Sequence, residues 1–328
     1  MLVITAPGQG AQVPGFLSPW LEVPGVQTRL GTWSERAGVD LIRFGTTAGA
    51  DEIKDTAVAQ PLLVAAALAA AEALFEGDLP ADGPGLATAG HSVGELAAGA
   101  IAGVLSAADA LRLVAVRGRA MAEAASAQPT GMTAVLGGDE ATVLAAIEAH
   151  GLTPANVNGA GQIVAAGTMA QLSAFAADPP AGARLRPLPV AGAFHTVHMA
   201  PAVAALRAAA GTVTVGDPRI VLLSNADGAV VASGADWLDR IVRQVAAPVR
   251  WDRCMATMAS QDVTALIELP PAGTLTGLAR RALPGVTLQA LKTPDDLEAG
   301  RKLLAVSSEP TAPSEPTAPS TPTSRRHA

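Results

Sequence analysis

The chain has 328 residues, enough for one large domain and a smaller one. It is 49% apolar but only 3% aromatic and has no tyrosine, so its core must be built mainly from Ala, Leu and Val. A net charge of −7 without any basic block argues against a nucleic-acid partner, and the lone Cys254 excludes an internal disulfide and suits a reducing cytoplasm.

No basic region precedes the first apolar residues, so a secretory leader is not expected. Leu2 to Ala6 reads as a buried strand ending in the loop Pro7-Gly8-Gln9-Gly10-Ala11-Gln12. A dinucleotide loop needs a third glycine where Val13 stands, and Pro14 interrupts the helix that should follow. A tight loop bringing backbone N–H groups to a site fits better. Residues 15 to 56 carry no readable function. Gln60-Pro61 opens an Ala/Leu helix, with the proline expected in its first turn. The apolar run from Pro61 to Ala71 is too short to span a bilayer, so it reads as a buried helix and no membrane partner is expected.

Asp78 to Gly85 reads as a loop, and Leu86 to Ala89 as a strand running into Gly90-His91-Ser92-Val93-Gly94-Glu95. A helical pattern follows from Val93 to Val104. Gly-x-Ser-x-Gly between a strand and a helix lifts the serine hydroxyl out of the sheet. The helix N-terminus behind Ser92 then faces any oxyanion formed there. In the next helix, Asp109 to about Ala125, the residues Ala110, Leu111, Val114, Gly118 and Met121 share one face. Arg112 and Arg119 fall opposite, but Arg117 projects on the apolar side. It either runs along the core edge to water or aims a guanidinium into a cleft that takes an anion.

From 132 to 190 the pattern reads strand, helix, two strands around Gly159-Ala160-Gly161, helix, strand. That βαββαβ order is the ferredoxin-like pattern, here inserted into the larger domain. Core-type elements resume with Val190 to Met199 and a helix through Ala210. Strands are expected at Ile220 to Leu223 and Val263 to Leu269, and helices at Ala235 to Val245, Asp252 to Ser260 and Gly273 to Leu283. From about residue 306 the Ser/Thr/Pro-rich chain has nothing to pack and is expected to be disordered.

A nucleophilic Ser92 needs a base. His195, in a Gly/Ala/Phe loop before a helix, is the better candidate, because His91 points to the other side of the turn and His150 ends a surface helix. No aspartate or glutamate stands out as its orienting partner. Asp109 and Asp139 look like helix caps and Asp178 like a loop residue. His195 and His198 lack a third ligand at a sensible spacing, so no metal site is expected.

Over about residues 1 to 305 the chain resembles the malonyl-CoA:acyl-carrier-protein transacylases and the acyltransferase domains of polyketide synthases, most of all the stand-alone actinobacterial form. The resemblance rests on the Pro7 to Gln12 loop, Gln60-Pro61, Gly90 to Glu95 and Arg117-Gly118. It continues through Asn156-Val157-Asn158-Gly159 with Gly161-Gln162, then Ala193-Phe194-His195. Gln244 with Pro248-Val249-Arg250-Trp251, and Leu275-Thr276-Gly277-Leu278, complete it. One departure is Pro270-Pro271-Ala272-Gly273, where Gly-Pro-Gly is common.

The resemblance implies an α/β fold: an α/β-hydrolase-like core with a parallel sheet over 1–128 and 191–305, and the ferredoxin-like subdomain over 129–190. It implies that Ser92 carries malonyl as an ester between malonyl-CoA and the thiol of acyl carrier protein, with His195 as base and then acid. The backbone carbonyl of Gln244 would orient His195, which accounts for the missing carboxylate. Backbone N–H groups of Gln9 and Val93 would form the oxyanion hole, Arg117 would hold the malonyl carboxylate, and Phe194 would fill the space of a 2-methyl branch. No cofactor is implied, and a cytoplasmic monomer is expected. Arg184, Arg186, Arg280 and Arg281 are candidates for a local basic rim facing the acidic carrier, as well as ordinary surface arginines. A serine esterase with the same nucleophile, and a catalytically silent docking module, remain alternatives.

Overall fold

The computed structural model describes residues 1–308 apart from 78, 81, 82, 84 and 191. The expected loop at 78–85 lies partly, and the expected tail beyond 308 wholly, outside the described residues. The chain is an α/β protein, and its described residues form two five-stranded sheets.

Strand β1 (Leu2–Ala6) is buried along its whole length, as an apolar run covered on both faces must be. Residues 15 to 56 form helices α1 (Val26–Ala37) and α2 (Leu41–Thr46) with short 3-10 turns. Helix α1 buries Val26, Leu30, Trp33 and Ala37 and stops at Gly38, whose φ of 65° few other residues tolerate. Helix α3 (Thr56–Leu74) starts at Asp55, whose carboxylate accepts from the Ala57 N–H at 2.8 Å. That cap sets the helix start four residues before Gln60. Pro61 therefore lies inside the helix and not in its first turn, and the Ala57 carbonyl loses its usual donor. Helix α3 is long and apolar enough to cross a membrane, yet most of it is buried in the core.

Strand β2 (Leu86–Gly90) leads through Ser92 into α4 (Gly94–Ile101). Both motif glycines are sterically required. A Cβ on Gly90 would sit 2.0 Å from the Gly94 carbonyl carbon, and one on Gly94 would sit 2.2 Å from the Ala6 oxygen. Helix α5 (Ala107–Ser126) is capped by Ser106, with Asp109 in its first turn. Its Gly118 passes so close to α3 that a Cβ would meet the Thr56 carbonyl at 2.9 Å.

Then come β3 (Thr130–Gly137), α6 (Glu140–Ala149), β4 (Thr153–Gly159), β5 (Gln162–Thr168), α7 (Met169–Ala177) and β6 (Ala183–Pro187). Asp139 caps α6, and Thr168 with Gln171 forms a capping box on α7. The remaining elements are α8 (Ala200–Ala210), β7 (Val221–Leu222), α9 (Gly234–Gln244), β8 (Val249–Arg250), α10 (Trp251–Ser260), β9 (Ala265–Glu268), α11 (Thr274–Ala282), β10 (Thr287–Ala290) and α12 (Leu297–Ser308). Helix α12 runs two residues past the expected start of the tail.

The first sheet is all parallel, in the order β10-β9-β1-β2-β7. Leu2 and Ile4 face the large core of α1, α3, α4 and α5, while Val3 faces a second core with α10 and α11. The second sheet runs β6-β3-β5-β4-β8, antiparallel except that β8 lies parallel to β4. Its third core holds Val135, Val143, Ile147, Ile163 and Phe175. The Pro270 to Gly273 loop is anchored by Glu268, whose buried carboxylate accepts from the backbone N–H groups of Gly273, Thr274, Leu275 and Thr276 at 2.8 to 3.1 Å.

Candidate active site

The parallel order places the C-terminal ends of β1 and β2 side by side, with the Gly8-Gln9-Gly10 loop over the Ser92 turn. The loop sits so tightly that a Cβ on Gly8 would be 2.9 Å from the His91 ring. Ser92 has φ of 54°, a left-handed conformation that costs of order 1–3 kcal/mol and is held by its surroundings. Its N–H donates to Asn225 Oδ1 at 2.7 Å, and Asn225 Nδ2 donates to the Gly90 carbonyl at 2.7 Å.

His195 Nε2 lies 2.7 Å from Ser92 Oγ. On the other side of the ring, Nδ1 lies 2.8 Å from the Gln244 carbonyl. A carbonyl only accepts, so Nδ1 carries the proton and Nε2 is free to take one from the serine. Burial, and then the positive charge of Arg117, hold the His195 pKa down to about 3, so the imidazole is neutral at rest.

Arg117 is 1% exposed. Its Nη1 donates to Gln60 Oε1 at 2.7 Å and its Nη2 to Ser92 Oγ at 3.3 Å. Burial lowers its pKa to about 10, which still leaves it cationic at neutral pH. Among the described residues, both of these bonds are to neutral oxygens, and no carboxylate is bonded to the guanidinium. Arg117 does not run along the core edge to water, because it is buried with Nη2 turned to Ser92.

The cleft is lined by Gln9, Gln60, His91, Met121, Met132, Asn156 and Phe194 around Ser92 and His195. Phe194 is buried in its wall. The Gln9 side chain is tied by Thr56 at 3.1 Å and approached by Gln60 at 3.5 Å, which steadies its backbone. Among the described residues, the backbone N–H groups of Gln9 and Val93 donate to no protein acceptor. His91 turns away from Ser92 and bonds Asn158 on β4 at 2.9 Å, which joins the Ser92 turn to the second sheet. Burial lowers its pKa.

The structure thus brings together Gln9, Ser92, Val93, Arg117, Phe194, His195 and Gln244. It leaves Arg184, Arg186, Arg280 and Arg281 exposed on β6 and α11. His198 faces Gln128 and not His195, and among the described residues no cluster of three or more His, Cys, Asp or Glu side chains forms a metal site. Three polar groups had no role in the sequence reading: Gln60, which holds Arg117, Asn225, which holds the Ser92 N–H, and Glu95. Gln60 and Glu95 sit inside recognised motifs, but Asn225 has no local signal, being 133 residues from its partner.

Residues 26–292 match the acyl transferase domain family. The chain is 54% identical over 298 residues to the malonyl CoA-acyl carrier protein transacylase of Mycobacterium tuberculosis, covering 91% of this chain and 98% of that one. It is 55% identical over 288 residues to the protein of the same name from Mycolicibacterium smegmatis, covering 86% and 98%. The crystal structure of MCAT from Mycobacterium tuberculosis superposes with a TM-score of 0.87 at 52% identity, covering 92% of this chain and 99% of that one.

Proposed function

The chain belongs to the acyl transferase family, among the malonyl CoA-acyl carrier protein transacylases, and on that premise we propose how its own residues carry malonyl from coenzyme A to the carrier. Ser92 is the nucleophile and His195 its base. His195 Nε2 takes the hydroxyl proton as Oγ attacks the thioester carbonyl. The oxyanion lies against the backbone N–H groups of Gln9 and Val93, where losing one such donor typically costs about 100- to 1000-fold in rate. The tetrahedral intermediate expels the coenzyme A thiolate, which takes the proton back from His195, and malonyl remains as an ester on Ser92. The carrier thiol then gives its proton to His195 and attacks the ester, and the same steps run in reverse.

Arg117 holds the malonyl carboxylate by two parallel hydrogen bonds throughout. Phe194 fills the wall where a 2-methyl branch would lie. Gln244 orients the base through its carbonyl, so no carboxylate is needed there. The observation that carries this reading is Ser92 Oγ, 2.7 Å from a neutral His195 Nε2 and 3.3 Å from Arg117 Nη2.

The parallel sheet with Ser92 at a strand-to-helix turn supports an α/β-hydrolase-like core over 1–128 and 191–305. The strand order β6-β3-β5-β4 supports a ferredoxin-like subdomain over 129–190. The protein acts as a cytoplasmic monomer on malonyl-CoA and acyl carrier protein, without a cofactor.

The test is incubation with malonyl-CoA, with and without carrier, followed by mass measurement of both proteins. One malonyl group should appear on Ser92 and move to the carrier. Free malonate with no malonyl-carrier would make the protein a thioesterase, and acylation elsewhere would remove Ser92 from the scheme.

A further inference from the structure

We propose that Glu95 is a positioning residue for this transfer: its buried carboxylate ties the group that fixes the Ser92 backbone to the residue whose carbonyl orients His195. Glu95 is 1% exposed, in the first turn of α4 behind the nucleophile. Its Oε1 accepts from the Asn225 backbone N–H at 2.8 Å, and its Oε2 accepts from Gln244 Nε2. Asn225 in turn accepts from the Ser92 N–H, and Gln244 accepts from His195 Nδ1. Nucleophile and base come from loops 103 residues apart. One carboxylate sets the position of both.

The chemistry of the two donors explains why this position holds an acid. Asn225 presents an N–H and Gln244 an amide NH₂, so the group between them must accept twice and donate nowhere. Only an ionised carboxylate does so. Burying it is unfavourable, and a neutral residue would be the natural occupant if packing were the only demand. Arg117 on α5 and Cys254 on α10 face it electrostatically, and Ser224 beside Asn225 lends a hydrogen bond. Burial nonetheless lifts its pKa to about 7. Below that pH the acid form places a proton where two donors already point, and the link between turn and base loosens. His195, held down to about 3, does not titrate in this range. His91, beside Ser92, is lowered by burial below the ordinary histidine value, so an acid limb near pH 7 is expected from Glu95.

The inference rests on Ser92 and His195 being nucleophile and base. The experiment is the pre-steady-state rate of Ser92 acylation by malonyl-CoA, read by quenched mass spectrometry on the full chain from about pH 5 to about pH 9. The parent rate should rise through about pH 7. Glu95→Gln should lose that rise and acylate about 10- to 100-fold more slowly at its plateau, with no increase in KM for malonyl-CoA, because the hydrogen bonds that hold Arg117 to Gln60 and Ser92 stay in place. Gln244→Met keeps the carbonyl that holds His195 but removes the donor to Glu95. Its acid limb should move to higher pH, which a histidine limb would not do. This variant decides the matter if Glu95→Gln does not fold. An acid limb that survives Glu95→Gln, or stays fixed in Gln244→Met, overturns the proposal. Failure of the parent to acylate Ser92 at all would overturn the assignment of the site instead.

Discussion

Arg117 and Ser92 share a hydrogen bond, with Nη2 3.3 Å from Oγ, while Gln60 holds Nη1 at 2.7 Å. The guanidinium edge is thus fixed beside Ser92 Oγ, where the proposed reaction brings the acyl group. An acyl group that ends in a carboxylate finds a planar partner there. One that ends in a methyl leaves a buried cation without its counter-charge. Charged hydrogen bonds contribute roughly 1.5–3 kcal/mol each. Arg117→Ala should lower malonyl loading of Ser92 by about 100-fold or more, while acetyl loading rises relative to the parent. Arg117→Lys should not restore the parent preference, because a point charge does not reproduce the fork. Loading from malonyl-CoA and acetyl-CoA, followed by mass, checks this. A parallel fall for both substrates would mean that Arg117 supports the fold and not the choice of substrate.

Gln60 is the support of that cation. Gln60→Leu nearly keeps the volume and removes the Nη1 acceptor, leaving Arg117, among the described residues, with its bond to Ser92 alone. The expected result is a fall of about tenfold in kcat/KM for malonyl-CoA, corresponding to one hydrogen bond to a charged group. Loading of an uncharged acyl group should change much less. Equal losses for charged and uncharged substrates would count against the role.

Phe194 closes the cleft beside His195 and is 6% exposed. A hydrophobic wall separates substrates differing by a methyl by only about 1–3 kcal/mol. Phe194→Ala should therefore raise kcat/KM for methylmalonyl-CoA relative to malonyl-CoA by about tenfold or more. An unchanged ratio would place the methyl-sensing wall elsewhere.

Glu95 gives a stability prediction of opposite sign to its role in catalysis. Its pKa rises from the ordinary 4.5 to about 7 on folding. Between those values the folded chain binds more protons than the unfolded one, so stability falls as pH rises, and stays lowered above about 7. Glu95→Gln removes that contribution. At about pH 8 the variant should be more stable than the parent, by at most about 3 kcal/mol, with the difference gone below about pH 4.5. Thermal unfolding across pH measures it. A lower midpoint for the variant at about pH 8 would show that the carboxylate is a net stabiliser.

Much of the fold was legible because long elements carry long patterns. Leu86 to Glu95 announced a strand, a tight turn and a helix, and the βαββαβ order of the second sheet read directly from its periodicities. What stayed hidden was short or lacked a local cap. Strand β8 is two residues, and α1 begins at Val26, after a Gly25 N-cap that offers no side chain. Pro61 was placed too early because the start of α3 is set by Asp55 and not by the proline. In the site, the residue type and setting of Ser92, His195 and Arg117 suggest the roles proposed for them, and the structure places the three together. Gln60, Glu95 and Asn225 act through partners 51 to 149 residues away, and no window of sequence shows that.

Strand β8 lies beside β4 in one sheet, and β9 lies beside β1 in the other. Each sheet is thus completed by a strand from the last third of the chain. A ribosome releasing this chain from its N-terminus has already made Ser92, Arg117 and the four strands β3 to β6 before either sheet can close. Contacts so distant in sequence form slowly. Until Asn225 emerges, the Ser92 N–H lacks its side-chain acceptor, and until Gln244 emerges, His195 Nδ1 lacks the carbonyl that holds it. On the proposed mechanism, activity is among the last properties the nascent chain acquires, so a fragment released early would contain Ser92 without the groups that position it.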